Sequence, residues 1–281
     1  MGTVIITDST CDFSLDVRKN LKVDVVPLTV TFNGGSVRDG YDEKRKRAIY
    51  RHMRTGGERL MTSQPSLEEF LNLFNKYKEN GDDIIYIGIS SRSSGTLQAA
   101  RIARSMCDYD KIHIIDSLQL SHGLQVLVRI ACKLRDEGKS AQEIVNEIML
   151  YIPKVRFITY VDSLKYLIEG GRVKKFTNHD SGRFNMKTLV SMIDGKFTPI
   201  GTVRGKIGAF EKIHELMQKM KADEKLPVIL THADSLRTML SFEVYLKSKG
   251  NKLNYLYTEI GSVIGSHMGP GTVGIAYIEK N

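Results

Sequence analysis

The sequence predicts an α/β protein in two halves: a mostly parallel sheet layered with helices over residues 1–153, then an α+β unit over 154–281. Three observations lead there. Short, nearly continuous apolar runs at 84–89 and 112–116 alternate with helical stripes, the pattern of strands covered on both faces. Beyond Pro153 that alternation gives way to a hairpin signal, Asp194-Gly195 between two strand-like runs. A chain of 281 residues is also long enough for two packed units with a large core.

The elements follow in order. Residues 3–7 read as a first strand. Leu67, Phe70, Leu71, Phe74 and Tyr77 recur at helical spacing and form one apolar stripe. The strand at 84–89 is followed by a Ser-rich turn and a helical stretch at 97–103. The strand at 112–116 precedes a helix over 121–135. In the second half a strand spans 155–159, and a helix near 162–168 ends at Gly170-Gly171, a helix stop. A polar loop over 174–182 follows. The hairpin pairs 190–192 with 197–203. A helix at 207–222 carries the stripe Phe210, Ile213, Leu216, Met217 and Met220. Strand 226–232, helix 234–249 and strands 253–258 and 272–278 complete the unit. No repeat or low-complexity linker separates the halves, so they are expected to pack tightly around a cleft.

Composition narrows the function. No apolar run approaches the ~18 residues of a membrane span, and the chain enters its first strand without a basic leader or cleavage site, so a cytoplasmic location is expected. Cys11, Cys107 and Cys132 lack metal-ligand spacing and are expected as reduced, buried thiols. The net charge of +9 favours an anionic partner. The excess concentrates in Lys44, Arg45, Lys46, Arg47, Arg51, Arg54 and Arg59, which fit either a solvated helix face or a transient contact with an anionic membrane. Only Tyr41 and Tyr50 offer stacking surfaces there, against a nucleic-acid role.

Three separated motifs carry hydrogen-bonding chemistry: Thr62-Ser63-Gln64-Pro65-Ser66, Ser90-Ser91-Arg92-Ser93-Ser94-Gly95-Thr96, and His267-Met268-Gly269-Pro270-Gly271-Thr272-Val273-Gly274. They offer hydroxyls, one imidazole and free backbone N–H groups, donors suited to holding a small anion without destroying it. The second motif follows a strand and opens a helix, where unpaired N–H groups attract anions; capping by Ser93 or Ser94 is the simpler reading. Ser66 with Glu69 forms a capping box, which leaves the Thr62 hydroxyl free. His267 is read in a Gly-rich turn that aims its ring inward. The GxGxxG at 269–274 precedes a strand rather than a helix, so a dinucleotide site is rejected. Asp8, Ser9, Asp116 and Ser117 end strands; the two aspartates either orient the hydroxyls and His267 or hold loops.

With Thr7-Asp8-Ser9-Thr10, Asp116-Ser117 and Gly170-Gly171-Arg172, these motifs resemble the DegV family, fatty-acid-binding proteins that serve as the lipid-carrying subunit of bacterial fatty acid kinase. The resemblance runs from Thr3 to about Ile278. It implies a two-domain DegV-like fold with a ligand tunnel at or near the domain junction. It implies that Thr62, Ser94 and His267 meet the fatty acid carboxylate, with Ser63, Gly95, Thr96, Gly269 and Gly271 supporting them. Arg204, in Val203-Arg204-Gly205-Lys206, and Arg172 would face the phosphorylated head group or the kinase. The chain would be a carrier with no cofactor or metal of its own. A separate kinase catalytic subunit would bring ATP and Mg²⁺ and make the acyl phosphate. The sequence departs from the family at Glu169, usually Lys, and at Met186-Lys187-Thr188, usually Ile-Lys-Pro. A serine esterase using Ser94, His267 and Asp116 or Asp8 is the alternative, opposed by the missing Gly-x-Ser-x-Gly elbow.

Overall fold

A computed structural model of the chain describes residues 2–40, 42–173 and 185–280. The polar loop expected at 174–182 and Tyr41 lie outside the described residues. In the first half the elements are β1 (Thr3–Asp8), α1 (Leu15–Leu21), β2 (Val23–Val26), β3 (Thr29–Phe32), β4 (Gly35–Arg38), α2 (Glu43–Arg54), β5 (Met61–Ser63), α3 (Leu67–Glu79), β6 (Asp83–Gly88), α4 (Thr96–Cys107), β7 (Ile112–Asp116), α5 (Ser121–Asp136) and α6 (Ala141–Tyr151). There follow β8 (Val155–Val161), α7 (Lys165–Glu169), β9 (Met186–Ile193), β10 (Lys196–Arg204), α8 (Gly205–Lys219), β11 (Val228–His232), α9 (Leu236–Ser248), β12 (Tyr255–Glu259), α10 (Ser262–Met268) and β13 (Val273–Ile278).

The first sheet, β2-β1-β6-β7, is wholly parallel. Apolar residues fill both its faces. Ile6, Ile84 and Tyr86 meet Phe70 and Phe74 of α3 and Leu97 of α4, while Ile5, Ile85 and Ile87 meet α5 and α6 on the other side. A sheet buried twice needs strands without polar alternation, which is why 84–89 reads as a continuous run. The second sheet, β10-β9-β8-β13-β11-β12, is mixed, with only β11 and β12 parallel. Helices α8 and α9 cover one face through Phe210, Ile213 and Phe242. Helix α5 lies between the two sheets and touches both, so its burial extends almost all round.

The hairpin forms where expected. Asp194 and Gly195 both take positive φ, 49° and 75°, the conformation of a type I′ turn. A small antiparallel sheet, β4-β3-β5, was not anticipated from the sequence. Its hairpin turns at Asn33 and Gly34, again with φ of 50° and 74°. This sheet matters because β5 carries Thr62.

The basic segment is partly internal. Lys46 Nζ reaches Glu259 at 2.6 Å and Arg54 Nε reaches Asp234 at 2.5 Å, two ties from α2 to the second half. Lys44, Arg47 and Arg51 face solvent. All three cysteines are buried and free, and no helix among the described residues is long and apolar enough to cross a membrane.

Candidate functional site

Thr62, Ser94 and His267 line one pocket of about 160 Å³, although each comes from a different element. Thr62 sits in the middle of β5, opposite Val30. Its Oγ1 lies 3.1 Å from His267 Nε2. Ser94 is in the tight turn between β6 and α4, where the Ser93 and Ser94 N–H groups donate to Ser90 O at 3.0 and 3.1 Å. Its hydroxyl lies 2.9 Å from Thr96 Oγ1 and accepts from Thr96 N at 3.3 Å. The residue capping α4 is Gly95, with no side-chain cap, so neither Ser93 nor Ser94 caps in the expected way.

His267 differs from its expected setting. It occupies the last turn of α10 rather than the Gly-rich turn, which begins only at Gly269. Burial, then the charges of Arg172 and Arg59, push its imidazole down to about 3, so the ring is neutral at physiological pH. Nδ1 is buried, faces Gly170 and has no partner among the described residues. A Cβ on Gly170 would stand 2.3 Å from that nitrogen. The glycine therefore does more than stop α7: it lets the ring in. Gly269 (φ 81°) and Gly271 (φ 91°) hold the following turn, where Cβ atoms would meet the Tyr166 ring and the Asp162 carboxylate at 2.3 and 2.4 Å. Gly95 similarly admits Gln64, whose Oε1 would lie 2.2 Å from a Cβ there. Thr62-Ser63-Gln64 and the Ser-rich turn thus meet in one rim. Ser63 lines the same pocket, and Thr96 reaches Ser94 through its own hydroxyl.

Two aspartates that sequence reasoning missed position α10. Asp12 Oδ1 accepts from Gly261 N at 2.9 Å, and Asp39 Oδ1 from Ser262 N at 2.8 Å. Carboxylates at a helix N-terminus complement its unpaired donors and dipole. Burial raises both pKa values above the ordinary carboxylate range, and Asp39 raises Asp12 further. Neither residue belongs to a polar motif in the sequence, so only the fold reveals them.

Asp8 and Asp116 hold loops and touch none of the three pocket residues. Asp8 accepts from Thr10 N, Tyr86 OH and Ile89 N at 3.0, 2.8 and 2.9 Å. Asp116 accepts from Ser91 N and Leu118 N, both at 3.1 Å. The Ser-rich turn is also fastened to the second half: Ser90 and Ser93 hydroxyls donate to Gly195 O at 2.7 and 2.9 Å. This geometry removes the esterase arrangement. Among the described residues Ser94 bonds to Thr96 and not to the imidazole, and no carboxylate reaches His267 Nδ1.

Arg172 lies in the pocket wall, its Nη1 donating to Gly170 O at 2.6 Å. Burial and the charge of Arg59 lower its pKa from the usual value. Arg204 stands apart, exposed at the far end of β10 from the pocket residue Phe197. Six strand residues lie between them, about 20 Å. Glu169 ends α7 at the surface, 3.9 Å from Lys165 Nζ. Lys187, in β9, pairs at 3.0 Å with Asp162, the residue after β8. Among the described residues no group of acidic, His or Cys side chains is arranged to hold a metal.

Gln64 and Ser93 complete the polar rim, and the apolar part of the wall is Leu28, Ile89, Leu120, Phe197, Val263 and Ile264. These residues belong to a buried cluster where the small sheet, α2, α7, α10 and the hairpin face converge. One end of the pocket therefore offers hydroxyls, a neutral imidazole and the Arg172 guanidinium, and the other opens onto hydrocarbon. At about 160 Å³ it falls below the ~300–1,000 Å³ of common small-molecule sites.

Comparison with known proteins fits this arrangement. A family model described as "Uncharacterised protein, DegV family" matches residues 3–280. A DegV domain-containing protein of Caldanaerobacter subterraneus subsp. tengcongensis is 35% identical over 277 residues, covering 98% of each chain. A Thermotoga maritima protein named "Fatty acid-binding protein" is 30% identical, covering 98% of this chain and 96% of its own. A solved Thermus thermophilus structure, described as fatty acid binding of a DegV family protein, superposes with a TM-score of 0.91 at 27% identity over 100% of both chains.

Proposed function

We propose that this chain, which belongs to the DegV family, binds a long-chain fatty acid and presents its carboxylate to a separate kinase. The observation that carries this reading is the convergence of Thr62, Ser94 and His267 in a pocket whose polar rim, with Ser63, Gln64, Ser93 and Arg172, borders an apolar wall of Leu28, Ile89, Leu120, Phe197, Val263 and Ile264. The Thermotoga maritima and Thermus thermophilus relatives, described by their fatty acid binding, support the ligand class.

Thr62 and Ser94 donate hydroxyl hydrogens to the carboxylate, and His267 adds an N–H from a ring too buried to be protonated. The tail enters the apolar cluster beyond Phe197 and Ile264 and displaces side chains there, because the pocket alone is too small for it. Burying about fourteen methylenes at ~0.8 kcal/mol each gives ~11 kcal/mol gross, enough for tight binding after association costs. The tail supplies affinity and the donors supply orientation.

A carboxylate held by neutral hydroxyls keeps its nucleophilicity better than one locked to a guanidinium fork. One carboxylate oxygen attacks the γ-phosphorus of ATP, carried with Mg²⁺ by the kinase catalytic subunit. The bond to the β-phosphate oxygen breaks, ADP leaves, and the new carboxyl–phosphate bond gives an acyl phosphate. The carrier itself supplies no cofactor. Arg204, exposed at the open end of the hairpin stem, is assigned to docking the kinase, and Glu169 and Met186 mark where that surface is particular to this chain. Lys44, Arg47 and Arg51 are assigned to brief contacts with an anionic membrane, and the protein to the cytoplasm. The test is mass spectrometry of lipid extracted from the purified protein: near one fatty acid per chain is expected, and each of Thr62→Ala, Ser94→Ala and His267→Ala is expected to retain less. A lipid-free wild type that also binds no added palmitate contradicts the reading.

A further inference from the structure

A pocket of about 160 Å³ is too small for a long acyl chain, so part of the protein has to move before one enters. The small sheet, α2, α7, α10 and the hairpin face enclose the apolar cluster behind it. Most of these elements hold the site together. The small sheet carries Thr62, α10 carries His267 and the hairpin carries Phe197. Gly170, at the end of α7, seats the imidazole. Moving any of them disperses the donors or breaks the wall. Helix α2 differs: among the described residues that line the pocket, none belongs to it.

Helix α2 covers the cluster with one face and meets water with the other. Ile49, Tyr50 and Met53 are buried in the cluster, while Lys44, Arg47 and Arg51 are exposed. A glycine with φ of 76° stands at each end, Gly40 two residues before the cap Asp42 and Gly56 just after Thr55. Glycine takes this conformation without steric cost, and a few residues at element ends absorb the backbone rotation of a hinged motion. Three polar contacts fasten α2 to the second half. Lys46 Nζ meets Glu259 at 2.6 Å. Arg54 meets the Asp234 carboxylate at 2.5 Å and donates from Nη2 to Asp234 O at 2.7 Å. Tyr50 OH donates to Ile260 O at 2.8 Å. Its ring lies against Gly265 of α10, where a Cβ would stand 2.3 Å from the hydroxyl. Both ion pairs keep a solvent-exposed partner, so water replaces them at small cost.

We infer that α2 is the lid of the acyl cavity: it swings on Gly40 and Gly56 to admit and release the tail, and its contacts with Glu259, Asp234 and Ile260 are the latch. Opening uncovers Ile49, Tyr50 and Met53, so the open state is the minor one, and the latch sets its population. The inference rests on the proposed carrier function, and its test separates the two. The measurement is stopped-flow binding and release of cis-parinaric acid, a fluorescent fatty acid. Glu259→Gln and Asp234→Asn are each expected to speed association and release alike about threefold, and together about tenfold. The Kd is expected to change less than about twofold, because a weaker latch opens the empty and the loaded protein equally. Glu143→Gln, which loosens the cap of α6 instead, is expected to leave both rates unchanged. Lys46→Cys with Glu259→Cys, bridged by a short bis-methanethiosulfonate, is expected to slow both rates about tenfold or more until dithiothreitol restores them; the native cysteines are buried and bystanders to the reagent. Faster release without faster association, or a bridged protein that loads as quickly as the reduced one, overturns the lid and leaves the carrier function standing. A wild type that binds neither this probe nor palmitate overturns both.

Discussion

At the residue scale the account depends on a histidine kept neutral. His267 and His122 are both pushed down to about 3 by burial. The unfolded chain binds a proton at each near pH 6.5 and the folded chain does not. Each histidine therefore costs no stability above that pH and removes it progressively as the pH falls from about 6.5 towards 3. Asp8, Asp12 and Asp39, whose pKa values are raised, act with the opposite sign. Comparison with a variant isolates the imidazole: His267→Gln is expected to flatten the fall of unfolding free energy between pH 6 and 4 by about 1.4 kcal/mol per unit, measured by urea denaturation across pH. An unchanged slope contradicts the neutral ring. The three motifs were legible by their polar and glycine content, and the family resemblance picked Thr62, Ser94 and His267 out of them. What surrounds them was not. Gly170 reads as a helix stop, and nothing in a linear string shows that an imidazole lies against it.

Element-scale legibility followed burial. The strands at 84–89 and 112–116, the stripe of α3 and the Asp194-Gly195 hairpin were readable because each pattern is set by local periodicity or turn chemistry. The sheet β4-β3-β5 was missed because its strands are only three or four residues long, and Asn33-Gly34 was its one strong signal. Helix α10 was missed because Gly265 and the tail glycines suggest a turn. Seven residues make a poor helix alone; here Asp12 and Asp39 anchor its first N–H groups and burial completes it. Asp39→Ala removes an acceptor from a buried N–H and is expected to lower stability by about 1–3 kcal/mol and to speed fatty acid release, because α10 carries His267. Asp39→Asn keeps an oxygen at the same place and is expected to lie nearer wild type. Thermal unfolding and stopped-flow release read the two effects, and equal behaviour of both variants contradicts the anchoring role.

On the scale of the whole molecule, the site exists only where the halves meet. Thr62 and Ser94 come from the first half and His267 from the second. Lys46–Glu259, Arg54–Asp234 and the Ser90 and Ser93 bonds to Gly195 hold them in register. The resemblance of motifs foresaw this convergence; composition alone did not. The basic segment shows the limit of reading charge from sequence, because two of its cations pair with carboxylates remote in the chain. The central claim is that hydrocarbon burial provides affinity and neutral donors provide orientation. The most direct test is titration calorimetry over saturated fatty acids of increasing length. The account predicts that each added methylene tightens binding about fourfold, ~0.8 kcal/mol, until the apolar cluster is filled, while Thr62→Ala shifts every member by a similar factor. Affinity that is flat across chain lengths would contradict it.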